Sequence, residues 1–258
     1  MRMMFVGDSM TIGRAGDYTW RYRMWQHLGG SCEIVGPRAE LYESSTAYAD
    51  PAFPADARRH LAGWGEGWHH MAPVIRETLT AHPADLLLIS LGLIDLGFYT
   101  DAEDTARNAR RFLQQARGAN PHIRAVILPV IPNIRAETDA PFAAEVDHFN
   151  TLLAKTIADL DQPTSPLLLA SRPESYDIHR DTYDGTHPNA SGEHKLAGAF
   201  ADALHQAWGV GADRRKAGIP RPAITRARSR PSGPDTPDRA CPAGTAGRPP
   251  AGGRSPRR

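Results

Sequence analysis

Short apolar runs alternate with longer amphipathic stretches along residues 1–208 of the chain. Each run is closed by glycine, proline or a polar residue, and nearly every position inside it is apolar. Such runs are typical of strands that are buried on both faces of a parallel sheet. The pattern predicts five strands, at Met3–Val6, Cys32–Val35, Leu86–Leu91, Ala125–Ile131 and Pro166–Ala170.

The stretches between these runs show helical spacing. Trp20, Met24 and Leu28 recur on one face of a predicted helix that ends at two glycines. Further helices are predicted over residues 68–81, 101–117, 140–160 and 189–208. Because strands and helices alternate, the fold class predicted is α/β: a three-layer α/β/α sandwich with a five-stranded parallel sheet and right-handed crossovers.

Residues 38–66 form a long stretch without a regular pattern. The stretch contains Pro51, Pro54 and three Tyr or Phe side chains. A connection of this length inside a compact domain is usually functional. We expect it to form one wall of a site at the carboxyl edge of the sheet, where open α/β sheets bind their ligands.

Charge and composition divide the chain in two. Residues 212–258 carry 12 Lys and Arg against 3 Asp and Glu, with 9 Pro, 6 Gly and no aromatic residue. A segment so poor in apolar side chains cannot offset the entropy lost on ordering. The composition predicts a folded domain over residues 1–211 and a disordered basic tail over residues 212–258. We expect a solvated tail, with contact to nucleic acid or an acidic partner as the alternative.

The sequence shows no pattern typical of membrane insertion, export or metal binding. No run approaches the roughly 18 apolar residues of a membrane-spanning helix, so no membrane partner is predicted. No charged segment followed by an apolar one precedes the first strand, which favours the cytoplasm. Cys32 and Cys241 lie in very different surroundings, which argues against a disulfide and against a metal site.

Two short stretches carry candidate chemistry. A Gly-Asp-Ser turn at residues 7–9 follows the first strand, and it can present the Ser9 hydroxyl above the sheet edge. Asp184 and His187 lie three residues apart in a loop before the last helix. A serine nucleophile needs a base, and the base needs an acceptor on its other ring nitrogen. Taken alone, a Ser after Asp in a turn is usually only part of the turn, and Asp184 and His187 are compatible with an ordinary loop, so the prediction depends on the pair.

Together the two stretches resemble the motifs of the SGNH (GDSL-type) hydrolases, a family of esterases, lipases and acyltransferases. The family's GDS motif is matched by residues 7–9, and its DxxH motif by Asp184 and His187. The resemblance covers residues 1–208 and implies a catalytic domain over residues 1–211 with the flavodoxin-like strand order 2-1-3-4-5. It implies Ser9 as nucleophile, His187 as base and Asp184 as the acid that orients the base. It also implies no cofactor, and a small-molecule acyl ester or thioester as substrate.

The resemblance is incomplete at the oxyanion hole. The family's GxND motif falls on residues 92–95, where Ile94 replaces an asparagine that donates a side-chain hydrogen bond. A further family glycine supplies a backbone N–H; Gly65 matches it best, and Gly67 is the alternative. The implied oxyanion donors are Ser9 and Gly65, and the implied pocket residues are Gly67, Gly92 and Ile94.

Three functions are compatible with these residues. The first is a serine esterase whose oxyanion hole lacks one donor. The second is an acyltransferase or cyclase that acts on an activated acyl group in secondary metabolism, since apolar Ile94 would disfavour water beside an acyl-enzyme. The third is a non-catalytic binding protein on the same fold. The intact set of Ser9, Asp184 and His187 argues against the third.

We predict that removing residues 212–258 leaves the melting temperature and any ester turnover nearly unchanged, because a disordered segment contributes no core burial. Thermal unfolding of the full and truncated chains measures this directly. A melting temperature many degrees lower after truncation would show that the tail packs on the domain.

Overall fold

The computed structural model describes residues 1–173 and 175–212 of the chain. The strands in these ranges are β1 (Arg2–Gly7), β2 (Glu33–Ile34), β3 (Leu61–Ala62), β4 (Leu86–Ser90), β5 (Arg124–Leu128) and β6 (Leu167–Leu169). The α-helices are α1 (Ser9–Ile12), α2 (Trp20–Leu28), α3 (Trp68–Ala81), α4 (Ala102–Ala119), α5 (Ala140–Leu160), α6 (Ile178–Asp181) and α7 (Ala190–Trp208). Short 3-10 turns lie at Tyr42–Ser44, Ala55–Arg58 and Ile134–Glu137, and a π-helical turn lies at Asp95–Tyr99.

The strands form one parallel sheet in the order β2-β1-β4-β5-β6. β3 pairs with the carboxyl end of β1, beyond the point where β2 pairs with its start. The five predicted strands thus adopt the expected order 2-1-3-4-5, and the predicted α/β fold is confirmed. The predicted number of strands is wrong by one. β3 lies between His60 and Gly63 inside the irregular stretch 38–66, so no apolar run of strand length marks it in the sequence.

The helices flank this sheet in two packed groups: α2 packs on α7, while α4 packs on both α3 and α5. Every side chain in Met3–Val6 and Leu86–Ile89 is fully buried, as expected for central strands that are covered on both faces. The predicted inward face of α2 is confirmed, since Trp20, Met24 and Leu28 are all buried. Among the described residues, no helix is long and apolar enough to cross a membrane.

A buried arginine holds the irregular region 38–66 against the start of the domain. The guanidinium of Arg21, in α2, donates hydrogen bonds to the carbonyl oxygens of Thr11 and Ile12 at 2.9 and 3.0 Å. It also donates to the carbonyl of Arg58 at 2.8 Å and to the hydroxyl of Tyr48 at 2.9 Å. Burial lowers the pKa of Arg21. All four acceptors are uncharged oxygens. The Arg21 guanidinium therefore links the end of α1 to the irregular region without an ion pair.

The predicted basic tail lies outside the described residues, apart from residue 212. Its disorder and its solvation therefore stay predictions.

Glu193, near the start of α7, is a buried carboxyl with one hydrogen-bonded oxygen. Its Oε1 accepts from the backbone N–H of Thr19 at 2.7 Å, whereas the buried Oε2 has no hydrogen-bond partner among the described residues. Thr19 has a φ of +71°, which β-branched residues rarely adopt, and this bond helps to hold it there. Burial raises the pKa of Glu193 to about 7. The folded state therefore binds this proton more tightly than the unfolded state does, and ionisation opposes folding.

We predict that Glu193→Gln raises the free energy of unfolding by about 1–2 kcal/mol at pH 8 and changes it little at pH 5. The wild-type protein loses stability as the pH rises from the ordinary glutamate pKa towards about 7, and a neutral amide avoids this loss. Urea unfolding at both pH values measures the difference, with Glu77→Gln on the exposed side of α3 as the control. The buried carboxyl of Asp8, whose pKa is also raised to about 7 by burial, leaves part of the pH dependence in the variant. An equal change at pH 5 and pH 8 would contradict the prediction.

Candidate active site

Ser9 is positioned by the turn that joins β1 to α1. β1 ends at Gly7, and Ser9 is the first residue of α1. The carboxylate of Asp8 caps this helix by accepting a hydrogen bond from the N–H of Met10 at 3.0 Å. A side chain at Gly7 would overlap that of Thr11, so the turn requires glycine there. Ser9 is consequently held at the carboxyl end of a central strand.

The loop before α7 builds an oriented histidine from a single aspartate. Asp184 Oδ1 accepts hydrogen bonds from the N–H groups of Thr186 and His187 at 3.0 and 2.8 Å. Its Oδ2 lies 2.7 Å from Nδ1 of His187. Partial burial alone would raise the pKa of Asp184, but the hydrogen bonds from His187 and Thr186 outweigh it and hold the pKa below its usual range. The ionised carboxylate therefore favours the tautomer that carries its proton on Nδ1.

The turn and the loop meet at the imidazole. Nε2 of His187 lies 2.9 Å from Oγ of Ser9, a contact between residues 178 positions apart. When Nδ1 donates to Asp184, Nε2 is the ring nitrogen that accepts the hydroxyl proton. The structure thus brings together the three residues that the sequence singled out.

Aromatic rings pack against this histidine. The rings of Trp64 and His187 are nearly parallel, with centroids 4.6 Å apart, and the ring of Tyr183 lies 5.7 Å from that of His187. Tyr42 packs in turn on Trp64 at 4.3 Å. Sequence reasoning did not single out these residues, although Tyr183 and Trp64 directly precede the motif residues Asp184 and Gly65. Tyr42 belongs to the irregular region 38–66, which therefore does border the site.

The two candidate oxyanion glycines differ in their surroundings. The N–H of Gly67 donates to Nδ1 of His70 at 3.1 Å, and its Cα packs against the carboxylate of Asp95. Gly65 has a φ of +74°, and the space next to its Cα is open. Gly67 is thus engaged at the start of α3, whereas a side chain at Gly65 would meet no other atom within 4 Å.

The segment after β4 contains the position at which this sequence departs from the GxND motif. Gly92 has a φ of +126° and packs closely against Val130 and Phe149, so it shapes the end of the strand. Ile94 is half-buried and leads directly into the π-helical turn Asp95–Tyr99. An isoleucine side chain has no hydrogen-bond donor, whatever its orientation.

Two further carboxylates near Ser9 have structural roles. Asp95 is buried and accepts hydrogen bonds from the N–H groups of Trp68 and His69, both at 2.9 Å, which cap α3. Burial raises its pKa. Asp8 is engaged in capping α1 and is not the partner of His187. In the part of the chain that the structure describes, no three His, Cys, Asp or Glu side chains are grouped as metal ligands.

The site can therefore deprotonate a serine hydroxyl and stabilise the resulting imidazolium with Asp184. Such an arrangement suits acyl transfer through a covalent intermediate on Ser9.

Known proteins resemble this chain in sequence. A multidomain esterase of Ruminococcus flavefaciens is 21% identical over 213 residues, which are 76% of this chain and 27% of that protein. This chain thus spans about a quarter of the length of that relative. The pattern of the GDSL-like Lipase/Acylhydrolase family matches residues 5–195.

Solved structures share the fold. A family 3 carbohydrate esterase from Talaromyces cellulolyticus superimposes with a TM-score of 0.66 at 23% identity, covering 80% of this chain and 97% of its own. An acetyl esterase solved with an acetate ion gives the same TM-score, identity and coverage. Since the family match includes the Ser9 turn and the Asp184–His187 loop, the chain belongs to the GDSL-like lipase/acylhydrolase family.

Proposed function

We propose that this protein is a serine esterase that hydrolyses a small acyl ester or thioester through an acyl-enzyme on Ser9. The observation that carries the proposal is the continuous contact from the Ser9 hydroxyl to His187 at 2.9 Å and from His187 to Asp184 at 2.7 Å. A serine hydroxyl is a weak nucleophile unless a neighbouring base can remove its proton, and this geometry provides that base.

Acylation begins with attack of Ser9 Oγ on the carbonyl carbon of the ester. The hydroxyl proton passes to Nε2 of His187, and Asp184 stabilises the imidazolium through Nδ1. As the tetrahedral intermediate collapses, the bond to the leaving alcohol breaks and His187 returns the proton to the alcohol oxygen. The acyl group remains on Ser9 as an ester.

Deacylation repeats these steps with water as the nucleophile. His187 removes a proton from the water, the hydroxide oxygen attacks the acyl carbon, and Ser9 leaves with the proton from His187. The product is a carboxylic acid, and the enzyme is regenerated. In both steps we assign the backbone N–H groups of Ser9 and Gly65 to the oxyanion, because Gly65 matches the family's glycine best and the N–H of Gly67 already donates to His70.

For the substrate class, we propose acetyl esters carried by a carbohydrate. Two proteins with this fold are described as an acetyl esterase and a carbohydrate esterase, and these descriptions motivate the choice. The aromatic rings that border His187 are compatible with a ring-shaped alcohol.

Acyl transfer to an acceptor other than water is the second candidate, and Ile94 is the residue that favours it. An apolar side chain at the position of the motif asparagine removes one oxyanion donor. It would also make the surroundings of the acyl-enzyme less favourable for water. Turnover that depends on an added alcohol or amine would distinguish transfer from hydrolysis.

We predict that Ser9→Ala abolishes both ester turnover and covalent labelling by a fluorophosphonate probe, because Oγ is the atom acylated in each reaction. Ser31→Ala, at an exposed serine outside the site, is the matched control and should label as the wild type does. Undiminished labelling of the Ser9→Ala protein would rule out Ser9 as the nucleophile.

We predict that Ile94→Asn raises kcat for acetyl ester hydrolysis about tenfold with little change in KM. An amide donor at this position would bond more strongly to the tetrahedral oxyanion than to the ground-state carbonyl, so it should act on kcat. The gain should stay below the 10²–10³ that one oxyanion donor is typically worth, on the order of ten, because the pocket is shaped around isoleucine.

Ile94→Leu keeps the size and removes no donor, so it is the control and should give no gain. Lower turnover of every ester by a folded Ile94→Asn protein would show that residue 94 does not face the oxyanion. Loss of an acceptor-dependent reaction with a gain in hydrolysis would instead support acyl transfer.

A further inference from the structure

Exposed apolar side chains are concentrated around the active site. Among the described residues, eight large apolar side chains are exposed, and five of them lie on segments that follow the carboxyl ends of strands β2 to β5, the edge that carries Ser9: Tyr42, Trp64, Phe98, Tyr99 and Ile134. Four of these five are aromatic. Scattered exposed apolar residues are normal on a protein surface, but their concentration at one place indicates a binding surface.

Contacts between neighbouring loops enclose the site on one side. The ring of His187 packs on that of Trp64, three residues before Gly67. The N–H of Gly67 bonds to His70, whose ring lies 4.9 Å from that of Tyr99.

Further contacts complete the circuit on the other side. The carbonyl of Gly97, in the same π-helical turn as Tyr99, accepts a hydrogen bond from Arg135 at 3.2 Å. The N–H of Ile134 donates to the carbonyl of Gly185 at 2.8 Å, and Gly185 belongs to the catalytic loop. We call this circuit of contacting loops the rim.

Phe98 is the most exposed of these apolar residues, and it lies in a turn whose backbone is held by hydrogen bonds. Its side chain is 78% exposed. The backbone on either side is fixed, since Arg135 holds the carbonyl of Gly97 and the N–H of Thr100 donates to the carbonyl of Asp95 at 2.9 Å. A π-helical turn is itself rare and often occurs at functional sites. Phe98 therefore presents an apolar side chain on a backbone whose conformation is already fixed before a ligand binds.

We propose that the rim, with Phe98 as its principal contact, binds pyranose rings of the oligosaccharide that carries the ester; this rests on the proposed function. A pyranose ring has an apolar face of C–H groups, which an aromatic ring attracts through its negative face. Its hydroxyl groups need polar partners beside that face. Tyr99 follows Phe98 in the chain, and its ring lies 4.9 Å from that of His70 and 6.3 Å from that of His69.

The composition of the rim favours a saccharide over a lipid surface. Lipid-binding surfaces combine large aliphatic or aromatic side chains with an excess of unpaired Lys and Arg. On the rim, Ile134 is the one aliphatic member of the exposed set, and the neighbouring Arg135 is paired with Asp139 at 2.8 Å.

The first test is binding without turnover. In a Ser9→Ala background, a partially acetylated xylo-oligosaccharide is titrated by calorimetry, and adding Phe98→Ala should weaken the affinity about tenfold, as expected for the loss of one aromatic contact. Phe98→Trp should keep the affinity, and Val74→Ala, at an exposed apolar residue on α3, is the matched control. No binding to the Ser9→Ala protein, or equal binding with and without Phe98, would overturn the proposal.

The second test is turnover of acetyl esters that differ only in the alcohol. Phe98→Ala should lower the ratio of kcat/KM for the acetylated oligosaccharide to that for ethyl acetate about tenfold, mainly through KM. An unchanged ratio would contradict the assignment of Phe98, and a selective loss on emulsified tributyrin would assign the rim to lipid instead. If the wild type hydrolyses neither acetyl ester, the proposed esterase function is wrong. The binding test still shows whether the rim binds the oligosaccharide.

Discussion

The turn after β1 depends on a position that has no room for a side chain. At Gly7, a Cβ atom would overlap Thr11 and would lie 2.9 Å from the carbonyl oxygen of Ser90 on the neighbouring strand. This close approach lets β1 pair with β4 through its last residue while α1 begins two residues later. A side chain at Gly7 would push α1 away from β4, and the hydroxyl of Ser9 would move with it. A displacement of about 1 Å can cost on the order of 10² in rate.

The loop that carries His187 is held by two hydrogen bonds, one at its middle and one that joins its two ends. The N–H of Ile134 donates to the carbonyl of Gly185 at 2.8 Å, which ties the middle of the loop to the segment after β5. The side-chain amide of Asn189, which caps α7, donates to the carbonyl of Thr182 at 3.2 Å. The position of His187 is thus a property of the fold and does not require a substrate. The helix α7 that follows this loop also carries the buried carboxyl of Glu193, whose ionisation lowers the free energy of unfolding.

Parts of the fold that leave a local pattern could be predicted, and parts that depend on distant partners could not. The inner strands β1, β4 and β5 are apolar at nearly every position because they are buried on both faces, and the edge strands β2 and β6 also lie in short apolar runs. Five of the six described strands were therefore visible in the sequence. β3, at Leu61–Ala62, is defined by its pairing with β1 and leaves no comparable run. Arg21 lies on a helix whose inward face was predicted from Trp20, Met24 and Leu28. Its burial depends on oxygens from two distant segments, which no local pattern reveals.

The candidate site shows the same division. Ser9, Asp184 and His187 could be named in advance as candidates, because each proposed role requires a particular functional group and the turn and loop motifs are short and local. The stacking of Trp64 on His187 and the rim that presents Phe98 could not be foreseen. The local sequence around an aromatic loop residue does not reveal which residues its ring will contact. Those contacts arise because the sheet brings the carboxyl ends of its strands to one edge, where loops far apart in sequence come together.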